Sequence, residues 1–134
     1  MNRQLRFGIE EEYFITDLVT RQMPGSISCA AIGRCKSALG DFFAYEMFQG
    51  QIEVASPVFT NLTQAGDYLA FARSTLRHAL QPFGLGLLSA GSHPLGDWRT
   101  QDATDQEHFH PRWHQRRETT LCLPRSHRHR NGRP

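Results

Sequence analysis

The sequence has 134 residues, enough for one domain with a modest hydrophobic core. Hydrophobic residues make up 39% and charged residues 21% of the chain, a balance typical of globular proteins that excludes wholesale disorder. No apolar run approaches the roughly 20 residues that a membrane helix requires, and none follows the first six residues, so we expect neither a membrane span nor a secretory signal. Cys29, Cys35 and Cys122 cannot all pair and match no zinc spacing, which favours a reducing, cytoplasmic location.

The formal net charge of +2 hides an uneven distribution. Residues 1–110 contain 8 basic and 12 acidic residues, whereas residues 111–134 contain 7 arginines and a single acid, Glu118. One interpretation is a basic arm that binds nucleic acid. The other is an unselected, disordered end, which we favour because alternating arginine and histidine offer no stacking platform for bases.

Hydrophobic periodicity predicts a first strand over residues 5–16, with a bulge near three consecutive glutamates. A short helix is predicted over Cys29–Leu39, ended by Gly40. A second alternating strand is predicted over residues 49–55 and is stopped by Pro57.

The second half of the chain predicts a long helix, capped by Asn61 or Thr63 and continuing to about Gln81. A buried strand over residues 85–90 and a turn at residues 91–94 follow. Residues 105–114 are a weaker helix candidate. This order predicts an α+β fold built on a partial, mainly antiparallel sheet with packed helices. Because so few strands bury little surface, we expect missing partners and self-association through exposed sheet edges.

Carboxylates in strands are the most informative feature, because glutamate is depleted there. Alternation places Glu10 and Glu12 on one face of the first strand and Glu11 on the other. Glu46 and Glu53 lie seven residues apart, and Glu53 falls inside the second strand. If the two strands are neighbours, four acids converge on one face and bind a hard cation such as Mg²⁺. The alternative is a solvated outer sheet face.

The sequence motifs around these acids are more specific than the spacing of the acids. Residues 7–13 read FGIEEEY, residues 51–54 read QIEV after Glu46, and residues 91–94 read GSHP. In this order, with a long helix before the last motif, the sequence resembles the glutamate–cysteine ligase type 2 family of carboxylate–amine ligases. The resemblance covers roughly residues 5–122.

This resemblance implies a fragment of a glutamine-synthetase-like fold and an ATP-dependent reaction. In such ligases a carboxylate is activated as an acyl phosphate, which an amine then attacks; glutamate and cysteine are the default substrates. The resemblance also implies that Glu10, Glu12, Glu46 and Glu53 bind the Mg²⁺ that holds the ATP phosphates. His93 is implied as a substrate-side residue, with a turn residue bonded to nearby backbone as the alternative.

The resemblance ends near Cys122, where the family continues with a Cys-x-x-His-Val-His motif. Residues 122–130 read CLPRSHRHR instead. One choice of codons for this segment, read one base later, encodes Ala-Phe-His-Val-His-Ile-Gly, which is close to the family's continuation. We therefore expect residues 1–122 to be the N-terminal part of a ligase catalytic domain and residues 123–134 to be an aberrant basic tail produced by a frameshift. His127 and His129 are then not the family's histidines.

Three functions follow from these observations. The first is a ligase lineage whose truncated chain is inactive alone. The second is a small module that binds nucleic acid through its basic end. The third is a non-catalytic remnant that associates through its sheet edges.

Overall fold

The computed structural model of the protein describes residues 5–104. The helix predicted over residues 105–114 and the tail predicted over residues 123–134 lie outside these residues.

One antiparallel sheet organises the described part of the chain. Its strands are β1 (Glu10–Asp17), β2 (Phe43–Tyr45), β3 (Gln51–Ala55) and β4 (Leu85–Leu88), arranged in the order β2–β3–β1–β4. Two helices, α1 (Cys29–Leu39) and α2 (Leu62–Leu80), join these strands. The predicted α+β class and antiparallel sheet are confirmed, while the glutamine-synthetase-like ligase fold stays a prediction.

The helices begin and end where local signals place them. The Ser28 side chain accepts a hydrogen bond from the Ala31 amide at the start of α1, and Asn61 caps α2 through the Gln64 amide. Gly84 ends the turn after α2 in the left-handed region, at φ 69°, which favours glycine. Asn61, rather than Thr63, is therefore the cap of the long helix.

The hydrophobic core lies between the helices and one face of the sheet. Side chains at alternate positions of β1 and β3 point into it, as expected for strands with one buried face. The opposite face, called the helix-free face because neither α1 nor α2 packs on it, holds the glutamates discussed below. The largest fully buried side chains are Tyr13, Ile15, Ile52, Val54, Leu76, Leu80 and Cys35.

The strands differ from their predicted bounds: β3 begins at Gln51 rather than at residue 49, and β4 ends at Leu88 rather than at residue 90. β1 begins at Glu10 rather than at residue 5, although Phe7 still pairs with Phe59 through an isolated bridge. The predicted bulge is wrong, because pairing across the three glutamates runs without interruption. β2 was not predicted, since three residues are too few to show alternation.

No helix within residues 5–104 combines the length and the apolar character needed to cross a membrane.

Candidate metal centre

Strand pairing brings three glutamates together on the helix-free face of the sheet. In the register of β1 and β3, Glu12 lies directly opposite Glu53. On the other side of β3, Ala44 of β2 is the partner of Glu53, so Glu46 follows just beyond the end of β2. One carboxylate oxygen from each of Glu12, Glu46 and Glu53 lies within 4.8 Å of the other two.

The loop that carries Glu46 is held by a later segment of the chain. The Thr104 amide donates to the Met47 carbonyl at 2.8 Å, and the Gln49 amide donates to the Asp102 carbonyl at 2.9 Å. Gly50 permits this close approach, because a Cβ there would lie 2.5 Å from Gln101 Oε1 and 3.0 Å from the Pro24 carbonyl oxygen. The position of Glu46 therefore depends on segments far apart in sequence.

The electrostatics of this cluster centre on Glu53. Partial burial raises the pKa of Glu53, and a hydrogen bond with Glu46 and the charges of Glu10, Glu46 and Glu12 raise it further, to about 7. An acid in such surroundings keeps a proton near neutral pH unless a cation takes the place of that proton. The group thus has a physical reason to bind positive charge.

Glu10 lies beside this cluster rather than within it. It shares the face of Glu12 because the two lie two positions apart along β1, with only Glu11 between them, and its charge acts on Glu53. The sequence analysis predicted four converging acids; the structure brings three within ligand distance of one another and places Glu10 next to them.

Glu11 points to the opposite face, as alternation predicted, and meets a different environment. Arg73 on α2 binds its carboxylate with two nitrogens, Nη2 at 2.5 Å and Nε at 3.1 Å. The hydroxyls of Tyr13 and Ser89 also donate to it. Burial raises the pKa of Glu11, but these hydrogen bonds outweigh that effect and hold it below its usual value. Glu11 therefore joins α2 to the sheet. The strand alternation was the only sequence signal that set it apart from its neighbours.

His93 is buried on the same face as the acid cluster. Its Nδ1 accepts a hydrogen bond from the Leu95 amide at 3.1 Å, which leaves Nε2 to donate to the Thr16 hydroxyl at 3.1 Å. The ring also packs edge-on against Phe14, at 5.8 Å between centroids. Both ring nitrogens are thus engaged with the protein, an arrangement that matches the turn-residue alternative. Phe14 and Thr16, which the sequence analysis did not single out, occupy the positions that follow Glu12 on this face.

The donor set of the cluster suits a hard cation. Mg²⁺ binds oxygen at about 2.1 Å, so two of its ligands lie about 3 to 4 Å apart. All donors are carboxylate oxygens, and no cysteine or histidine belongs to the cluster within the described residues.

Comparison with known proteins shows the family of this chain. The sequence profile of glutamate-cysteine ligase family 2 matches residues 6–125. The chain belongs to this family. Its match includes all four candidate glutamates and His93, while residues 126–134 lie beyond it.

Curated relatives carry names that provisionally assign them as glutamate–cysteine ligase 2. A protein of Pseudomonas fluorescens is 58% identical over 102 residues, which cover 76% of this chain and 26% of the relative. A protein of Pseudomonas putida is 49% identical over 109 residues, which cover 81% of this chain and 30% of the relative. The chain therefore matches less than a third of the length of these relatives.

We predict that Glu53 makes the cation-free protein less stable as the pH rises from about 4.3 to about 7. In this window the folded state binds more protons than the unfolded state, so the free energy of unfolding falls with increasing pH. Urea denaturation in EDTA at a series of pH values measures this slope. Glu53→Gln should flatten it, whereas Asp67→Asn, which removes an exposed acid on α2, should not. Equal slopes in the parent chain and Glu53→Gln would contradict the assignment.

Proposed function

We propose that this chain carries the magnesium-binding part of an ATP-dependent carboxylate–amine ligase. The observation that supports this most directly is the convergence of Glu12, Glu46 and Glu53 on one sheet face in a chain of the glutamate–cysteine ligase lineage. A cluster of acids on an outer face is common without a metal. The family match and the raised pKa of Glu53 distinguish this one.

Each acid has a separate part in the proposal. Glu12 and Glu53 supply oxygens from two paired strands, and Glu46 supplies a third from the loop after β2. Glu10 adds negative charge beside them and would be available as a further ligand for a second cation. Bound Mg²⁺ neutralises phosphate charge while a phosphoryl group moves to an acceptor.

The proposed reaction is the one that the family resemblance implies. A carboxylate substrate, with glutamate as the default, accepts the γ-phosphoryl group of ATP to form an acyl phosphate, and ADP is the leaving group. An amine, with cysteine as the default, then displaces phosphate. Two anions must approach one another in the first step, which explains why cations and their carboxylate ligands are needed.

We assign His93 the role of a positioning residue on the substrate side of this face. Its bonds to Thr16 and Leu95 fix the turn over residues 91–94 above the strand that carries Glu10 and Glu12. Gly96 allows this turn, since a Cβ there would lie 2.9 Å from the His93 Cβ. His93 thus shapes the surface next to the acids through the loop that it holds.

We further propose that residues 1–122 correspond to part of the catalytic domain, that the basic residues 123–134 are aberrant, and that the chain is inactive alone and cytoplasmic. The short match to the relatives supports an incomplete catalytic unit. The predicted nucleic-acid-binding arm concerns residues 111–134, which lie outside the described residues, and it stays a prediction.

We predict that Mg²⁺ stabilises the 134-residue chain through the acid cluster. At ten times its Kd the ion adds about 1.4 kcal/mol to the free energy of unfolding, or about 5 °C in Tm for a domain of this size. Glu12→Gln and Glu53→Gln should abolish the shift, and Glu10→Gln should reduce it less. Thermal denaturation at pH 7.5 with and without MgCl₂ measures these differences.

The matched control for this experiment is Asp67→Asn, which removes the same charge from the exposed side of α2. It should keep the full Mg²⁺ shift. A shift of equal size in Glu12→Gln and in Asp67→Asn would mean that the ion acts on general surface charge, and the proposed centre would be wrong.

Ligase activity requires a chain of the relatives' full length. We predict that a chimera, with residues 5–104 replacing the matching part of the Pseudomonas fluorescens relative, hydrolyses ATP only with an amino-acid carboxylate, an amine and Mg²⁺. Glu12→Gln in the chimera should lower kcat by at least about 100-fold, because it removes a cation ligand. A coupled assay for ADP, with the unmodified relative alongside, measures this.

Two results would contradict the proposed function. One is robust turnover by the 134-residue chain alone, which would refute its proposed inactivity. The other is an unchanged rate in the Glu12→Gln chimera beside an active relative, which would show that this acid does not hold the cation.

A further inference from the structure

The outer edge of β4, a strand of four residues, lacks the charges, prolines and bulges that protect many sheet edges. β4 pairs with β1 on one side, and no described strand lies on its other side. Its sequence, LGLL, contains no charge and no proline, and its pairing register has no bulge. Exposed edges in natural proteins usually carry at least one of these features.

The register identifies the backbone groups at this edge. The Leu18 amide donates to the Gly84 carbonyl at 2.8 Å, so alternate residues of β4, Gly86 and Leu88, direct their amides and carbonyls toward β1. Leu85 and Leu87 direct theirs outward. Within residues 5–104 these outward groups accept and donate no hydrogen bond, and each unpaired group favours the addition of a strand.

Space for the side chains of such a strand lies beside the edge. A cavity of about 520 Å³ is lined by residues of both α2 and β4. Leu18, Leu85 and Leu87 form its apolar wall, and Arg73 and Arg77 lie at its helix side. Apolar side chains on one face of an added strand would fill this cavity.

Charge distinguishes the candidate occupants. The Arg73 side chain is already paired with Glu11, but the Arg77 side chain has no ion pair or hydrogen bond with any other described residue. A second copy of this chain would bring its own Arg73 and Arg77 to the same cavity, which adds like charge. A strand that carries a carboxylate near Arg77 would pair with it instead.

We propose that the edge of β4 is the docking site for one strand from the part of the full-length ligase that this chain lacks. That strand carries apolar side chains toward α2 and an acidic side chain that meets Arg77. The relatives supply ample chain for this, because the present sequence covers only 26% to 30% of two of them. This inference rests on the family membership and needs neither the metal nor ATP.

Amide hydrogen exchange tests the proposal without any substitution. In the full-length Pseudomonas fluorescens relative, the amides that match Leu85 and Leu87 should exchange at least about 100-fold more slowly than in the 134-residue chain, because a strand covers them. The amides at Gly86 and Leu88 face β1 in both proteins and serve as the internal control. The experiment uses no ligand, so its failure is separate from failure of the proposed function.

Two outcomes of this experiment would overturn the proposal. Fast exchange at both outward positions in the full-length relative would show that no strand covers this edge. Equal protection in both proteins would show that the 134-residue chain covers the edge itself. Repeating the measurement at lower protein concentration then separates a second copy, whose protection falls on dilution, from the chain's own remaining residues.

The charge of the occupant is tested with two matched arginines. In the chimera described above, Arg77→Gln should lower Tm by several degrees relative to Arg34→Gln, which removes an exposed arginine from α1. In the 134-residue chain the two variants should have the same Tm. Equal Tm values for the two chimeras would overturn the proposed ion pair with Arg77.

Discussion

The main physical constraint on this structure is the repulsion between carboxylates that strand pairing brings together. Like charges placed directly opposite each other destabilise an antiparallel pair, yet β1 and β3 put Glu12 opposite Glu53. Glu46 then approaches the same point from the loop after β2. A proton on Glu53 relieves the repulsion in part, as the raised pKa of that residue indicates. A divalent cation relieves it more fully, and we regard this as the reason the acids occur together.

Because successive side chains of β1 point to opposite faces of the sheet, Glu10, Glu11 and Glu12 serve two different purposes. The outer two residues belong to the helix-free face and its negative charge. The middle residue meets Arg73, Tyr13 and Ser89 on the other face and ties α2 to the sheet. The same strand thus supports the candidate site and anchors the helix layer that backs it, so a change in register would lose both at once.

Sequence reasoning succeeded where the signals are local. Period-two alternation was enough to assign the faces of the three glutamates, and the helix predicted over Cys29–Leu39 with Gly40 as its end has these bounds in the structure. It failed where pairing decides the structure. The three residues of β2 are too few to show an alternating hydrophobic pattern. The register that places Glu12 opposite Glu53 is set only when strands distant in sequence pair with each other. Arg73 and Glu11 are 62 residues apart in the sequence, so no local sequence pattern indicates their contact. For the candidate site, the family-like sequence motifs around the acids were more informative about function than the spacing of the acids.

The most direct test of the account is to locate a bound cation. Crystals of the 134-residue chain, or of the chimera, soaked in MnCl₂ would reveal manganese by its anomalous scattering. The account predicts a peak about 2.2 Å from carboxylate oxygens of Glu12, Glu46 and Glu53. Ordered carboxylates with no peak between them, or manganese bound only elsewhere on the surface, would contradict it.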